Sequence, residues 1–328
     1  MLAVIEPSGA AAPPSVSVVI CAYTEARWDE LVAAVGSVQA QETPALETVL
    51  VIDHNPALRD RAAREIPGVV LVENVEQRGL SGARNTGVRV ARGDVIAFMD
   101  DDAWAEPGWW SHLADAYADP AVMGAGGAIV PAWERRRPSW FPREFDWVIG
   151  CTYLGMPETR AAVRNMIGCN MSFRREAFAE IGGFSHGIGR IGARPLGGEE
   201  TEFCIRAQRR WPDRVILYEP AAVVNHRVPA ARATVRYFRS RCYAEGLSKA
   251  AIAKLVGSGS ALSTERGYAV RTLGGGVARD VKDAVRGEGL AGMRRAAAIV
   301  VGLATTTTGY VVGRVSARPI IAPEVSRR

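Results

Sequence analysis

The sequence has little cysteine, and what it has stands apart. Cys21, Cys151, Cys169, Cys204 and Cys242 are odd in number, widely spaced, and form no C-x-x-C pair. This argues against a disulfide framework or a zinc site and favours a reducing compartment. No basic start with a long apolar core opens the chain. Met1 to Ser15 carries Pro7, Pro13 and Pro14 and reads as a loose leader rather than a signal peptide. No G-x-G-x-x-G follows the first apolar run, which disfavours a dehydrogenase, and no P-loop lysine is present. Internal repeats and low-complexity tracts are absent. The net charge of +5 comes largely from scattered arginines, with no nucleic-acid-binding signature among them, so no nucleic-acid partner is expected. The mild basicity, with a pI near 9.1, suits phosphate-bearing ligands or an anionic membrane surface.

What is present is apolar enough to fold. The chain has 328 residues, 48% of them hydrophobic, enough for one large α/β domain with an appendage or for two domains. Apolar runs at 16–20, 48–52, 69–72 and 95–99 alternate with helical periodicity at 28–39 and 57–65. That alternation predicts a doubly wound, mostly parallel sheet. A helix is expected to open at 103–110, with further strands at 122–130, 167–173, 215–218 and 222–226.

The chemistry gathers where these runs end. Val95 to Met99 empties into Asp100, Asp101 and Asp102. In an open α/β sheet, ligands bind at the carboxyl ends of strands. Three adjacent acids repel one another unless a cation sits among them, and a hard divalent ion with phosphate oxygens would fit. A solvated acidic turn is the plainer alternative. The segment Arg78 to Gly87 has glycines with Arg84 and Asn85 at a helix start, and could hold a pyrophosphate or be an ordinary capped turn. Gly197-Gly198-Glu199-Glu200 opens a helix that ends in arginines. The helix dipole alone explains that order, yet a carboxylate there is also well placed as a general base. His226 ends a strand; it is either structural or completes a metal shell begun by Asp102.

Two stretches stand outside this pattern. Trp133, Trp140, Phe141, Phe145, Trp147 and Tyr153 form an aromatic segment broken by prolines, which could line an acceptor groove or be a hydrophobic mini-core. From Arg232 the chain turns basic and helical, with an interruption expected at Gly274-Gly275-Gly276. The uncharged run 296–313 is at the lower limit for a spanning helix, and its four threonines and three glycines make it a poor one. An in-plane membrane helix with arginine flanks, or a helix packed on the rest of the chain, is expected.

Taken together, the opening strand with Ala22-Tyr23-Thr24, Asp53, Gly79-Leu80-Ser81-Gly82-Ala83-Arg84-Asn85, Asp100-Asp101-Asp102, Asn170, Glu199-Glu200 and His226 resemble the family 2 inverting glycosyltransferases. The resemblance covers roughly 16–228 and implies the α/β GT-A fold over 16–230, followed by a helical C-terminal extension over 231–328. It implies a nucleotide-sugar donor and Mn2+ or Mg2+. Thr24, Glu25 and Asp53 would contact the nucleoside, Asp100 and Asp101 its ribose side, and Arg84 and Asn85 the nucleotide. Asp102 and His226 would bind the metal. Glu200 would be the base, with Glu199 as the fallback, because the family usually has Glu-Asp here. Asn170, Trp147 and Arg143 would face the sugar or acceptor.

A closer resemblance, through 140–152, Arg164-Asn165, Gly189-Arg190 and Glu200-Thr201, is to archaeal glucosyl-dolichyl-phosphate glucuronosyltransferases and exopolysaccharide enzymes. It implies UDP-glucuronate and a polyprenyl-linked or polysaccharide acceptor, handled at the cytoplasmic membrane face with peripheral membrane contact. A nucleotidyltransferase, or another nucleotide-sugar-binding protein on a similar sheet, is the competing expectation.

Overall fold

The computed structural model describes residues 13–186, 188, 197–257 and 267–316. Most of the leader, Gly189-Arg190, residues 258–266 and the tail from 317 lie outside the described residues. One nine-stranded sheet organises the rest. Its first half is parallel and follows the apolar runs: β1 (Val16–Ala22), β2 (Glu47–Ile52), β3 (Val70–Glu73) and β4 (Val95–Asp100) lie in the order β3-β2-β1-β4. β2 is buried throughout, and β1 and β4 nearly so, as strands covered on both faces must be.

Helix α1 (Trp28–Gln39) buries Leu31, Ala34, Val35 and Val38, a stripe at helical spacing. Helix α2 (Pro56–Glu65) starts with proline, and the Asn55 side chain caps it by accepting from Leu58 N at 3.1 Å. Helix α3 (Leu80–Val90) begins inside the glycine segment.

Beyond β4 the sheet is mixed, a departure from the mostly parallel expectation. Two further strands, β6 (Val122–Trp133) and β8 (Asn170–Arg174), alter the direction, because β8 runs antiparallel between β4 and β6. The two expected strands at 215–218 and 222–226 are one, β9 (Val215–Val228), paired parallel to β6 with a register shift at Gly127/Ala128. Residues 103–105 are not helical. They form β5 (Ala103–Ala105), antiparallel to β9 with Ala103 opposite His226, and α4 (Trp109–Ala116) starts only after Pro107. Pairing at the sheet edge prevails over local helix preference there. A short β7 (Ala161–Ala162) also pairs with β9.

The two faces of the sheet carry separate cores. One holds Leu31, Trp109, Leu113, Phe141, Phe145 and Phe238. The other holds Phe98, Phe173, Phe178, Phe184 and Phe203 under α5 (Arg175–Ile181) and α6 (Glu199–Arg210).

The C-terminal helices are α7 (Val235–Val256), α8 (Gly274–Asp283) and α9 (Leu290–Val315). α8 runs straight through the three glycines. Gly276 leaves room for Glu144, whose Oε1 would lie 2.4 Å from an added Cβ. Arg279 meets Glu144 at 2.7 Å and Arg295 meets Asp280 at 3.0 Å, tying α8 and α9 to the segment 143–149.

α9 is the one described helix long and apolar enough to cross a membrane by length and composition, and it lies against α7. The glycines of the run face inward. A Cβ at Gly309 would lie 2.2 Å from the Tyr243 carbonyl, and one at Gly302 2.4 Å from Phe145. The Thr305, Thr307 and Thr308 hydroxyls donate to carbonyls four residues back, at 2.7, 2.9 and 2.9 Å. Glycine and threonine therefore do not make the outer face polar. That face exposes Val300, Val301, Leu303, Val311 and Val312.

Candidate active site

The carboxyl ends of β1, β2 and β4 open into a cleft of about 590 Å3. Asp53, at the end of β2, lines it with 7% of its surface exposed. One Asp53 oxygen accepts from Asn74 Nδ2 at 2.7 Å and the other from Gly79 N at 3.0 Å. Tyr23, Arg78 and Gly79 stand beside it in the wall.

Asp100 ends β4, and Asp101 and Asp102 make the turn into β5. Because β5 pairs with β9, His226 is brought beside them: its Nε2 is 3.2 Å from Asp102 Oδ1. Asp102 Oδ2 also accepts from Arg27 at 3.0 Å and from Arg232 at 3.3 Å. Burial raises the Asp102 carboxyl, but the His226 hydrogen bond and charge, then Arg232 and Arg27, override it and hold it well below the usual carboxylate range. Asp101 meets Arg27 at 2.5 Å, and among the described residues its Oδ2 has no partner. Burial and the neighbouring Asp102 and Asp100 charges push Asp101 up, against the pull of Arg27.

Ligand atoms of Asp100, Cys169 and His226 lie within 4.8 Å of one another, and Asp102 meets the Nε2 of His226. Burial raises the Cys169 thiol well above its ordinary value, so it stays protonated. The donors that remain are carboxylate oxygens and one imidazole, a set that suits Mn2+ or Mg2+ better than a soft, thiolate-seeking ion. The residues present fit a divalent cation.

Gly198, at φ +102°, turns the chain into α6 through a conformation that side chains disfavour. Glu199 and Glu200 follow, and both line the cleft. Arg84 reaches from α3 to link the two acidic groups. It donates to Glu199 at 3.0 Å, to Asp100 at 3.4 Å and to the Gly168 carbonyl at 3.0 Å. Glu199 is thus turned onto a buried guanidinium. Glu200 carries a raised pKa, about 8, from burial and then from the Glu199 charge.

Several expected site residues lie elsewhere. The Thr24 hydroxyl caps the turn 25–27 by accepting from Ala26 N at 3.2 Å, and Glu25 is exposed, so Tyr23 and Arg27 line the cleft instead. Asn85 clamps Phe184, accepting from its N at 2.7 Å and donating to its carbonyl at 3.0 Å. Asn170 is buried inside the sheet, where it accepts from Trp109 Nε1 and donates to the Ala128 and Ala222 carbonyls. Arg143 is exposed outside the cleft wall. Trp147 packs on Phe145 with ring centroids 5.4 Å apart. Of the two expectations for the aromatic segment, the mini-core describes its rings: Trp140, Phe141 and Phe145 all meet Phe238 of α7 at 5.2 to 5.6 Å.

Other lining residues were invisible as site residues in the sequence. Arg232 precedes α7, and Tyr237 and Arg241 stand one turn apart on it. The i, i+4 spacing of an aromatic and a basic residue was the available signal.

The sheet thus gathers acids and a histidine into one cleft at its strand ends. The family model for glycosyl transferase family 2 matches residues 17–182. The chain is 37% identical over 302 residues to a glucosyl-dolichyl phosphate glucuronosyltransferase of Haloferax volcanii, covering 91% of this chain and 96% of the relative. It is 24% identical over 234 residues to the succinoglycan biosynthesis protein ExoM of Rhizobium meliloti, covering 69% and 71%. A solved mannosyltransferase, PcManGT from Pyrobaculum calidifontis with GDP-Man and Mn2+, superposes with a TM-score of 0.53 at 18% identity over 89% of this chain and 87% of that one. GalNAc-T7 with UDP, GalNAc and Mn2+ gives 0.51 at 20% identity, covering 73% and 50%. The chain belongs to glycosyl transferase family 2, has the GT-A fold, and is a glycosyltransferase.

Proposed function

We propose that this enzyme transfers a sugar, with inversion, from a UDP-sugar to a polyprenyl-phosphate-linked or polysaccharide acceptor at the cytoplasmic face of a membrane. UDP-glucuronate is the first candidate donor. The observation that carries the reading is one cleft in which Arg84 joins Asp100 on the metal-competent side to Glu199 at the start of α6. A donor's leaving group and an acceptor's base are thereby within reach of one sugar. The donor and acceptor class are supported by the name of the 37% identical relative, and a divalent ion by the Mn2+ in both structural neighbours.

Asp53, Tyr23 and Arg78 form the wall for the nucleoside. Asp100, Asp102 and His226 would hold Mn2+ or Mg2+, which when bound supplies charge to the departing nucleoside diphosphate. Glu200 takes the proton from the acceptor hydroxyl as it attacks the anomeric carbon from the face opposite the diphosphate. Glu199, held by Arg84, fixes the start of α6 and keeps a negative charge beside Glu200, which raises its basicity. The outer face of α9, apolar and set between Arg294-Arg295 and Arg314, suits contact with an anionic membrane that presents a lipid-linked acceptor.

The test is donor hydrolysis. Purified protein is given UDP-, GDP- and dTDP-sugars with Mn2+ or Mg2+, with EDTA controls, and nucleoside diphosphate release is followed. Metal-dependent UDP release, strongest from UDP-glucuronate, is expected. Release from another sugar would replace the donor, and no release or nucleotide binding from any of them would remove the reading.

A further inference from the structure

The middle acid of Asp100-Asp101-Asp102 differs from its neighbours. It contacts Arg27 at 2.5 Å, is 4% exposed, and holds the guanidinium from inside the fold. Arg27 belongs to the single turn Glu25–Arg27 that the Thr24 hydroxyl caps, and its guanidinium carbon stands 4.9 Å from the centroid of the Tyr23 ring in the cleft wall. The same Arg27 Nη1 is 3.0 Å from Asp102 Oδ2.

Asp102 is therefore fully engaged. Oδ2 has Arg27 and Arg232 against it and Oδ1 has His226. A divalent ion approaches a carboxylate oxygen to about 2.1 Å and brings two positive charges to a place where two guanidiniums already stand. Like charges at such range repel strongly in a partly buried site. Loading Asp102 requires a guanidinium to give way. Arg27 can do so without losing its hold, because Asp101 is a second, separate carboxylate partner. Arg27 lines the cleft, and a planar guanidinium suits the oxygens of a diphosphate.

We infer that Arg27 is a diphosphate-binding residue of the donor site, that Asp101 is its positioning residue, and that Arg27 competes with the divalent ion for Asp102 until nucleotide arrives. This rests on the proposed use of Asp102 by a divalent ion. It makes nucleotide and metal binding mutually supporting: the diphosphate draws Arg27 away and so clears Asp102. It also gives the middle acid of the cluster a task other than holding metal or ribose.

The test measures binding rather than turnover. Free Mn2+ is followed by electron paramagnetic resonance as the full-length protein is titrated without nucleotide, and UDP affinity is then measured at saturating Mn2+. Arg27→Gln is expected to bind Mn2+ about tenfold more tightly than wild type without nucleotide, and UDP about tenfold more weakly. Arg27→Lys keeps the charge and is expected to leave Mn2+ affinity within twofold of wild type, so it also controls for damage to the fold. Asp101→Asn is expected to weaken UDP binding several-fold without tightening Mn2+. Asp102→Asn should abolish Mn2+ binding; if, with UDP present, wild type binds no Mn2+ or matches Asp102→Asn, the metal reading itself fails and takes this inference with it. If wild type binds Mn2+ through Asp102 but Arg27→Gln matches wild type in both titrations, Arg27 has no such role.

Discussion

If Glu200 is the acceptor base, its raised pKa of about 8 governs the rate at ordinary pH. Only the ionised form accepts a proton, so the sign is fixed: activity is lost as pH falls below the pKa and is full above it. With a value near 8, about a tenth of the enzyme is competent at pH 7 and about nine-tenths at pH 9. The kcat/KM for transfer should rise about tenfold across that interval and then level off. Because Glu199 and Glu200 sit side by side, the limb belongs to the pair rather than to one carboxyl. Glu199→Gln removes the like charge and leaves Arg84 pulling on Glu200 alone, so the limb should move to lower pH. Glu200→Gln should lower kcat/KM by about 10²- to 10⁴-fold, or about 3–5 kcal/mol, on the alkaline plateau and erase the limb, so that the gap narrows as pH falls, with UDP affinity unchanged. The assay is UDP release coupled to acceptor glycosylation from pH 6 to 9, with Mg2+ as the ion. A flat profile in wild type, or a Glu200→Gln enzyme within tenfold of wild type at pH 9, would refute the assignment.

Two further outcomes concern the frame of the site. Asn170→Ala would strand the Trp109 indole N–H and two buried carbonyls, at a cost of about 2–4 kcal/mol, so the thermal midpoint should fall while UDP affinity of the folded protein holds. Gly309→Val would drive a side chain into the Tyr243 carbonyl, 2.2 Å from the first added carbon, and the overpacking of about 1–3 kcal/mol should appear as a lowered midpoint in a melting curve.

Much of the architecture was legible because it rests on burial. The runs at 16–20, 48–52 and 95–99 are strands within a residue or two, since a strand covered on both faces has to be continuously apolar. The acids were legible as a group because a strand end, a glycine-led helix start and a histidine each carry local signals. β5 was not, for Ala103-Trp104-Ala105 has no strand pattern of its own and exists through its pairing with β9. Asn85 and Asn170 drew the eye as polar residues in a motif, yet both spend their amides on clamping backbone. A buried amide has several groups to satisfy, and the protein supplies the partners. Arg27 and Tyr237 could not be ranked, because their meeting with Asp101 and the cleft depends on contacts between distant stretches of chain.

Helix α7 touches both the cleft and α9. Near its start, Tyr237 and Arg241 form part of the cleft wall; about 8–14 Å further along, at a rise of 1.5 Å per residue, Gly246 lets α9 come up against its backbone. An α-helix of this length does not compress, so the two contacts move as one. Whatever seats α9 also sets the tilt of the wall beside Glu200. If α9 rests on a membrane, as proposed, the helix is more than an attachment point: its lever arm is part of the active site, and the membrane surface fixes how far an acceptor has to reach to be glycosylated.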